Sequence, residues 1–326
     1  MRQKIILDTD PGIDDAMAIL FAEAHPNIDL VGITTVYGNT TIDNGTRNAL
    51  YLKEKFQLNA DVAKGTDKPL VRPPVGATVV VHGETGFGDC HASEPQQATA
   101  DPRPAYQYII DMLKANPGEI TLVAVGPLTN LALALEAAPE ITSLVKEVVI
   151  MGGAFGENGH RGNVTPYAEA NIHDDPHAAD KVLTADWPAV VIGLDVTEES
   201  MFSSAYLDAL KADAGHVGEF IWDVSRYYLR FYAQKLGMDG CHVHDPSAIA
   251  YVIDPTLFTL RKGPVRVISD GPAEGMTLQK YDGRRYMTDD WQDNRSQHVG
   301  VQVNSDALLA LYREAIINYS QGTSGK

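Results

Sequence analysis

Cysteine, cationic side chains and long apolar runs are what this 326-residue chain has little of. Its two cysteines, Cys90 and Cys241, are too few for a disulfide framework, and a reducing compartment is the simplest setting. Lysine and arginine number 26 against 43 aspartates and glutamates, a formal net charge of −17. So acidic a chain is a poor binder of nucleic acid or of an anionic membrane through its general field. No apolar run approaches the roughly 20 residues of a membrane span. Only three apolar residues lie between Lys4 and Asp8, too few for a signal-peptide core. The chain is expected to be soluble and cytoplasmic. With no internal repeat and no Pro/Ser-rich linker, residues 1–319 are expected to form one domain, followed by a frayed tail over 320–326.

What the chain does have is an alternation of short apolar stretches with helix-periodic ones. Strands are expected at 5–7, 29–37, 61–64, 119–125, 146–151 and 189–194, with helices at 13–24, 42–56, 105–115, 128–138 and 178–184 between them. Residues 204–236 read as largely helical and aromatic-rich, 246–252 as another helix, 264–302 as short antiparallel strands, and 305–319 as a closing helix. The fold class is therefore α/β: a doubly wound, mainly parallel sheet with helices on both faces and a small C-terminal antiparallel extension. The segment from Pro69 to Pro104 has little periodicity, and loops that long in compact domains are usually functional or mobile.

Four carboxylates crowd the junction of the first strand and helix: Asp8, Asp10, Asp14 and Asp15. In an open α/β sheet that junction borders the ligand-binding crevice. One or two of these groups could simply cap the helix. Four within eight residues repel one another unless a cation or shared protons relieve the charge. Oxygen ligands suit Ca²⁺ or Mg²⁺, and no His or Cys at ligand spacing supports zinc. An EF-hand is excluded, because its obligatory Glu would fall at Ile19. Two alternatives stand beside a metal-assisted hydrolase. One is a Mg²⁺-dependent phosphohydrolase with Asp8 as nucleophile and Asp10 as acid; the other is a non-catalytic calcium-binding protein. Asp195, at the end of a later strand, is either a site residue or the cap of the turn at 197–199.

The opening Asp8-Thr-Asp10-Pro-Gly-Ile-Asp14-Asp15 resembles that of the nucleoside hydrolases. Val125-Gly-Pro-Leu-Thr-Asn-Leu131, Met151-Gly-Gly, Asn163-Val-Thr-Pro-Tyr-Ala-Glu169-Ala-Asn171 and His244-Asp245-Pro246 extend the likeness in that family's order. The resemblance implies Ca²⁺ held by Asp10, Asp15, Asp245 and the main-chain carbonyl of Val125. It implies ribose contacts from Asp14, Asn39, Asn163, Glu169, Asn171 and the Met151 main chain. The reaction implied is hydrolysis of the N-glycosidic bond of inosine- or uridine-type ribonucleosides, with broad or pyrimidine-leaning preference, in nucleoside salvage. Asp10 would be the general base and His244 the acid that assists the departing base. His82, on a glycine-rich stretch able to move as a lid, would reach the base. His242 is a second candidate acid, and Tyr227, Tyr228 and Tyr232 could shield the base. A homodimer or homotetramer is the family's habit.

Overall fold

The computed structural model describes residues 2–323. Strand β1 (Gln3–Thr9) carries Ile5, Ile6 and Leu7, all fully buried, so both of its faces are apolar. Each of those side chains contributes about 1.5–3 kcal/mol on leaving water. Pro11 and Gly12 stop the strand and α1 (Ile13–Ala24) begins, with Asp15 accepting from the Gly12 backbone N–H at its start. The unit repeats as β2 (Ile28–Thr35), α2 (Ile42–Phe56) and β3 (Asp61–Lys64). A long connection containing α3 (Val79–His82) leads to α4 (Ala105–Ala115), β4 (Ile120–Ala124), α5 (Thr129–Ala137) and β5 (Glu147–Met151). Next come α6 (Ala170–Asp174), α7 (Pro176–Thr184), β6 (Ala189–Ile192) and α8 (Leu194–Thr197). The last third comprises β7 (Met201–Ser203), α9 (Ser204–Asp213), α10 (Gly215–Leu236), β8 (Gly240–His242) and α11 (Asp245–Ile253). It ends with β9 (Phe258–Val267), β10 (Thr277–Gln279), β11 (Ser296–Val303) and α12 (Ser305–Thr323).

Nine strands form one sheet in the order β10-β9-β11-β6-β5-β4-β1-β2-β3. From β6 across to β3 every pairing is parallel. β11 joins β6 in parallel, and β9 and β10 add antiparallel strands at that edge. One apolar core lies under α1, α2 and α9 to α12, the other under α4, α5 and α7 on the opposite face. The chain order reverses at β1, which pairs with β2 on one side and β4 on the other. The carboxyl ends of β1 and β4 thus open on a crevice that no crossover helix fills.

The doubly wound sheet is as the sequence predicts, with local departures. The antiparallel strands continue the main sheet. Helical residues 204–236 divide at Ala214–Gly215, where Gly215 has φ +50° and the chain turns. A two-stranded ribbon of β7 and β8 went unforeseen, its strands being only three residues long. The expected tail begins too early. α12 runs through to Thr323 and buries Ser320, because Leu308, Tyr312, Ala315 and Ile316 anchor the helix in the core. Residues 324–326 of that expected tail lie outside the described residues.

Candidate active site

The crevice opens into a cavity of about 470 Å³ whose wall includes Asp14, Asn39, His82, Val125, Met151, Asn163, Glu169, Asn171, Tyr228, His244 and Asp245. Residues from eight separate parts of the chain are thereby brought together. Asp10 and Asp15 sit just beneath, held through Asn39. The Asn39 backbone N–H donates to Asp10 Oδ2 at 2.7 Å and its side-chain amide donates to Asp15 Oδ2 at 2.9 Å. This contact needs Gly38, because a Cβ there would lie 2.1 Å from Asp10 Oδ2.

Asp14, Asp15 and Asp245 each place a carboxylate oxygen within 4.8 Å of the others. Asp15 is the tethered member. It accepts from Thr9 Oγ1 (2.5 Å), Asp10 N (3.2 Å), Gly12 N (2.9 Å) and Asn39 Nδ2. Capping is therefore part of its work, but only its own. Asp10 Oδ1, Asp14 Oδ1 and Asp245 Oδ2 are buried and have no hydrogen-bond partner. An orphaned buried polar atom costs about 1–3 kcal/mol, more when charged. Burial is the main force pushing Asp14 up to about 6 and Asp10 and Asp245 well above the ordinary carboxylate range. Neighbouring carboxylates add to it at Asp10 and Asp245. A cation would relieve the orphaned atoms and the repulsion together, and an all-oxygen donor set fits a hard divalent ion. Asp8 belongs to the frame, accepting from Thr34 Oγ1 at 2.5 Å and Asn130 Nδ2 at 2.8 Å.

The opposite wall is built around Asn171. Its amide donates to the carbonyls of Val125 (2.9 Å) and Met151 (3.1 Å), turning both toward one place. Glu169 caps α6, accepting from the backbone N–H groups of Asn171, Ile172 and Gly153. Burial pushes its carboxyl up to about 7. Asn163 Oδ1 accepts from Ala170 N at 3.0 Å.

Histidines and tyrosines make the third wall. His82 Nδ1 accepts from the Ile13 backbone N–H at 3.2 Å, which leaves the proton on Nε2. Burial holds its pKa down at about 4, so the ring is neutral. His244 bridges Thr197 Oγ1 through Nδ1 (2.8 Å) and Tyr232 Oη through Nε2 (3.0 Å). Tyr232 Oη lies 3.5 Å from Tyr228 Oη, which donates to Asp14 Oδ2 at 3.3 Å. A continuous polar chain thus joins Thr197, His244, Tyr232, Tyr228 and Asp14. Burial pulls His244 down to about 3, so it enters as a neutral hydrogen-bonding group. His242 lies beside His244, ring centroids 5.7 Å apart, with Nδ1 unpartnered. Tyr227 faces the other way, donating to the Val79 carbonyl.

The glycine-rich stretch after His82 is docked here: Phe87 is fully buried, and Asn48 Nδ2 donates to the Pro11 and Thr85 carbonyls. Asp195 lies outside the cavity. It accepts from the Phe155 and Glu157 backbone N–H groups rather than capping residues 197–199. That clamp shapes a strap, residues 155–163, which sequence reasoning missed. His160 on the strap lies 2.6 Å from both Glu198 and Glu199 and lines the cavity mouth. The sequence signal was there in the glycines of Gly152-Gly153, Gly156, Gly159 and Gly162, which let backbone cross a cavity rim.

The family model described as inosine-uridine preferring nucleoside hydrolase matches residues 5–310. The chain is 41% identical over 319 residues to the pyrimidine-specific ribonucleoside hydrolase RihB of Escherichia coli (strain K12), covering 98% of each. It is 36% identical over 318 residues to the probable uridine nucleosidase 1 of Oryza sativa subsp. japonica, covering 97% of each. A plant nucleoside hydrolase structure superposes with TM-score 0.93 at 34% identity, over 97% of this chain and 99% of that one. The purine-preferring ribonucleoside hydrolase from Gardnerella vaginalis superposes with TM-score 0.90 at 31% identity, over 98% and 99%. No helix among the described residues is long and apolar enough to cross a membrane. A family match over nearly the whole chain leaves neither the phosphohydrolase nor the passive binder standing: the protein belongs to the nucleoside hydrolase family, as an N-glycosyl hydrolase of ribonucleosides.

Proposed function

We propose that the protein is a calcium-dependent ribonucleoside hydrolase of inosine- and uridine-type substrates, broad or pyrimidine-leaning, serving nucleoside salvage. The observation that carries the reading is the set of buried, partnerless carboxylate oxygens on Asp10, Asp14 and Asp245 at the crevice floor. Asp10, Asp15, Asp245 and the Val125 carbonyl would hold Ca²⁺. Calcium, when bound, would supply positive charge able to acidify a water and an affinity for oxygen donors that suits a vicinal diol.

The rest falls to side chains. Asp14 and Asn39 pair with the diol, and Asn163, Glu169, Asn171 and the Met151 main chain line the remainder of the sugar. Asp10 Oδ1, free of other bonds, takes the proton of the attacking water. The carboxylate-rich floor stabilises the positive charge that grows at C1′ as the glycosidic bond stretches. His82 offers Nε2–H to the base, and the chain of His244, Tyr232 and Tyr228 provides a path for the proton that the leaving base needs. The pyrimidine leaning draws on the pyrimidine-specific and uridine relatives; the purine-preferring structural relative supports the broad alternative. We place the enzyme in the cytoplasm, as a homodimer or homotetramer.

The test is a release assay with uridine, cytidine, inosine and adenosine offered singly, following free ribose with and without a calcium chelator. Ribose release from uridine and inosine that stops on chelation and returns with added Ca²⁺ is expected. Unchanged rates after chelation would remove calcium from the mechanism.

A further inference from the structure

Helix α8 is a single turn behind the cavity, and its last residue, Thr197, is fully buried. A buried hydroxyl needs a partner, and on a helix the usual one is the carbonyl one turn back. Thr46, Thr184 and Ser247 follow that habit, donating to the carbonyls of Ile42, Asp180 and Val243. Thr197 instead lies 2.8 Å from His244 Nδ1, 47 residues away in the chain. Its backbone is pinned: the N–H groups of Val196 and Thr197 donate to the Gly193 carbonyl, and Asp195 holds the Phe155 and Glu157 N–H groups. The hydroxyl therefore reaches His244 from a fixed support. Sequence reasoning met this residue only as part of a turn.

The direction of the bond follows from the far end of the polar chain. Asp14, as a carboxylate, only accepts, so the Tyr228 hydroxyl hydrogen goes to Asp14 Oδ2 at 3.3 Å. Tyr228 Oη is then the acceptor for Tyr232, 3.5 Å away, which takes up the Tyr232 hydrogen. Tyr232 Oη therefore meets His244 Nε2, at 3.0 Å, as an acceptor, and Nε2 carries the ring's N–H. A neutral imidazole has one N–H, so Nδ1 is a bare acceptor and Thr197 is the donor to it. Thr197, His244, Tyr232 and Tyr228 thus donate in series, all toward Asp14. The opposite tautomer would turn the Tyr232 hydrogen back to Nε2 and leave Tyr228 Oη without a donor.

Resting on the nucleoside reading above, we propose that Thr197 is a positioning residue for His244. Its hydroxyl holds the ring in the tautomer and orientation that keep the N–H on Nε2, and so keeps both phenols donating toward the cavity. Thr197 is absent from the cavity wall, whereas His244, Tyr232 and Tyr228 all line it, so it reaches the substrate only through them. Without the hydroxyl, Nδ1 becomes a buried acceptor with no partner, a state relieved by turning the ring or moving its proton. Either change breaks the series at its second member. The loss falls on the departure of the base, which these groups assist, and not on the attacking water at Asp10.

The test offers uridine, inosine and nitrophenyl riboside, whose leaving group departs without a proton, to the full-length, calcium-loaded protein. Thr197→Val keeps the shape and removes the hydroxyl. It should lower kcat for uridine and inosine roughly tenfold, the weight of one hydrogen bond, with KM moving less than about twofold. Nitrophenyl riboside should be cut at nearly the wild-type rate, which also reports that the variant is folded. Thr197→Ser restores the hydroxyl and should recover most of the loss. In a His244→Ala background, Thr197→Val should cost nothing further, because its effect passes through that ring. Nitrogen NMR of protein carrying 15N-histidine tests the tautomer with Thr197 in place: the His244 signals, identified by their loss in His244→Ala, should show Nε2 as the protonated nitrogen. Unchanged uridine and inosine turnover in Thr197→Val overturns this proposal alone. So does an equal loss on all three substrates, no rescue by serine, a loss additive with His244→Ala, or a wild-type ring protonated on Nδ1. Failure of the wild type to cleave either nucleoside overturns the nucleoside reading, and this proposal with it.

Discussion

In the proposed mechanism, single residues in the cavity divide between work on the sugar and work on the base, and the two can be separated by substrate. Asp10→Asn keeps the side chain's shape but removes a charge and a proton acceptor. Turnover of every ribonucleoside should fall by roughly three or more powers of ten. His244→Ala should slow uridine and inosine by roughly 10²–10⁴, the range for one acid catalyst. It should leave nitrophenyl riboside nearly unaffected, because that leaving group needs no proton. An equal loss on both substrates would mean that His244 positions Asp245 or the sugar. Tyr232→Phe isolates the relay. It keeps the ring that packs against Tyr228 and His242 but breaks the link to His244, and it should reproduce the selective loss in weaker form. His82 is bonded to the Ile13 N–H, but its ring lies 5.6 Å from that of Tyr228, so its replacement should couple with Tyr232→Phe rather than add to it.

At the scale of elements, the strap over residues 155–163 is the part whose behaviour should depend on pH. Burial lowers the pKa of His160, but hydrogen bonding and charge from Glu199 and Glu198 outweigh it, and the net shift is upward from 6.5. A His raised in the folded state stabilises the fold fully below its unfolded pKa, and that contribution is lost as pH rises through the folded value. Nearby, His242 is held low, at about 4, and Glu198 is raised from the ordinary carboxylate value, each chiefly by burial. Strap amides should therefore exchange hydrogen faster, relative to the core and after correction for intrinsic rates, above the His160 pKa than at pH 6. His160→Gln should flatten that difference; a strap equally protected at both pH values in the wild type would show that its other contacts, Asp195 and the Arg261–Glu157 pair among them, hold it without His160. The strap's glycines are visible in the sequence but its clamps are not, because Glu157 and His160 lie about 40 residues from Asp195 and Glu199 and nothing local pairs them. Helices α1, α2 and α4 were legible to the residue. Their caps and apolar spacing are local, and Gly12, Thr41 and Pro104 mark their starts.

For the molecule as a whole, a cation bound at the acidic floor would couple its binding to folding. An ion that binds only the folded state at 100 times its Kd adds about 2.7 kcal/mol. For a chain of this size that raises Tm by roughly 5 °C. Chelation should lower the melting temperature, Ca²⁺ should restore it, and Asp245→Asn should remove most of the difference. Equal melting curves with and without chelator would count against the cation site. Because the 2′-hydroxyl belongs to the proposed clamp, deoxyuridine should also be cut far more slowly than uridine, and comparable rates would sink that geometry. What the sequence determined by itself was the doubly wound sheet and the identity of the acidic floor, since strand and helix periods and the Asp8–Asp15 crowding are written in neighbouring residues. The tertiary structure decided the rest: that Asp15 caps while Asp14 faces the cavity, that Asp195 clamps a strap, that Tyr232 links His244 to Asp14, and that Thr197 meets His244 from behind. Those roles depend on which side chains from distant segments arrive within about 3 Å of each other, a distance that no local pattern encodes.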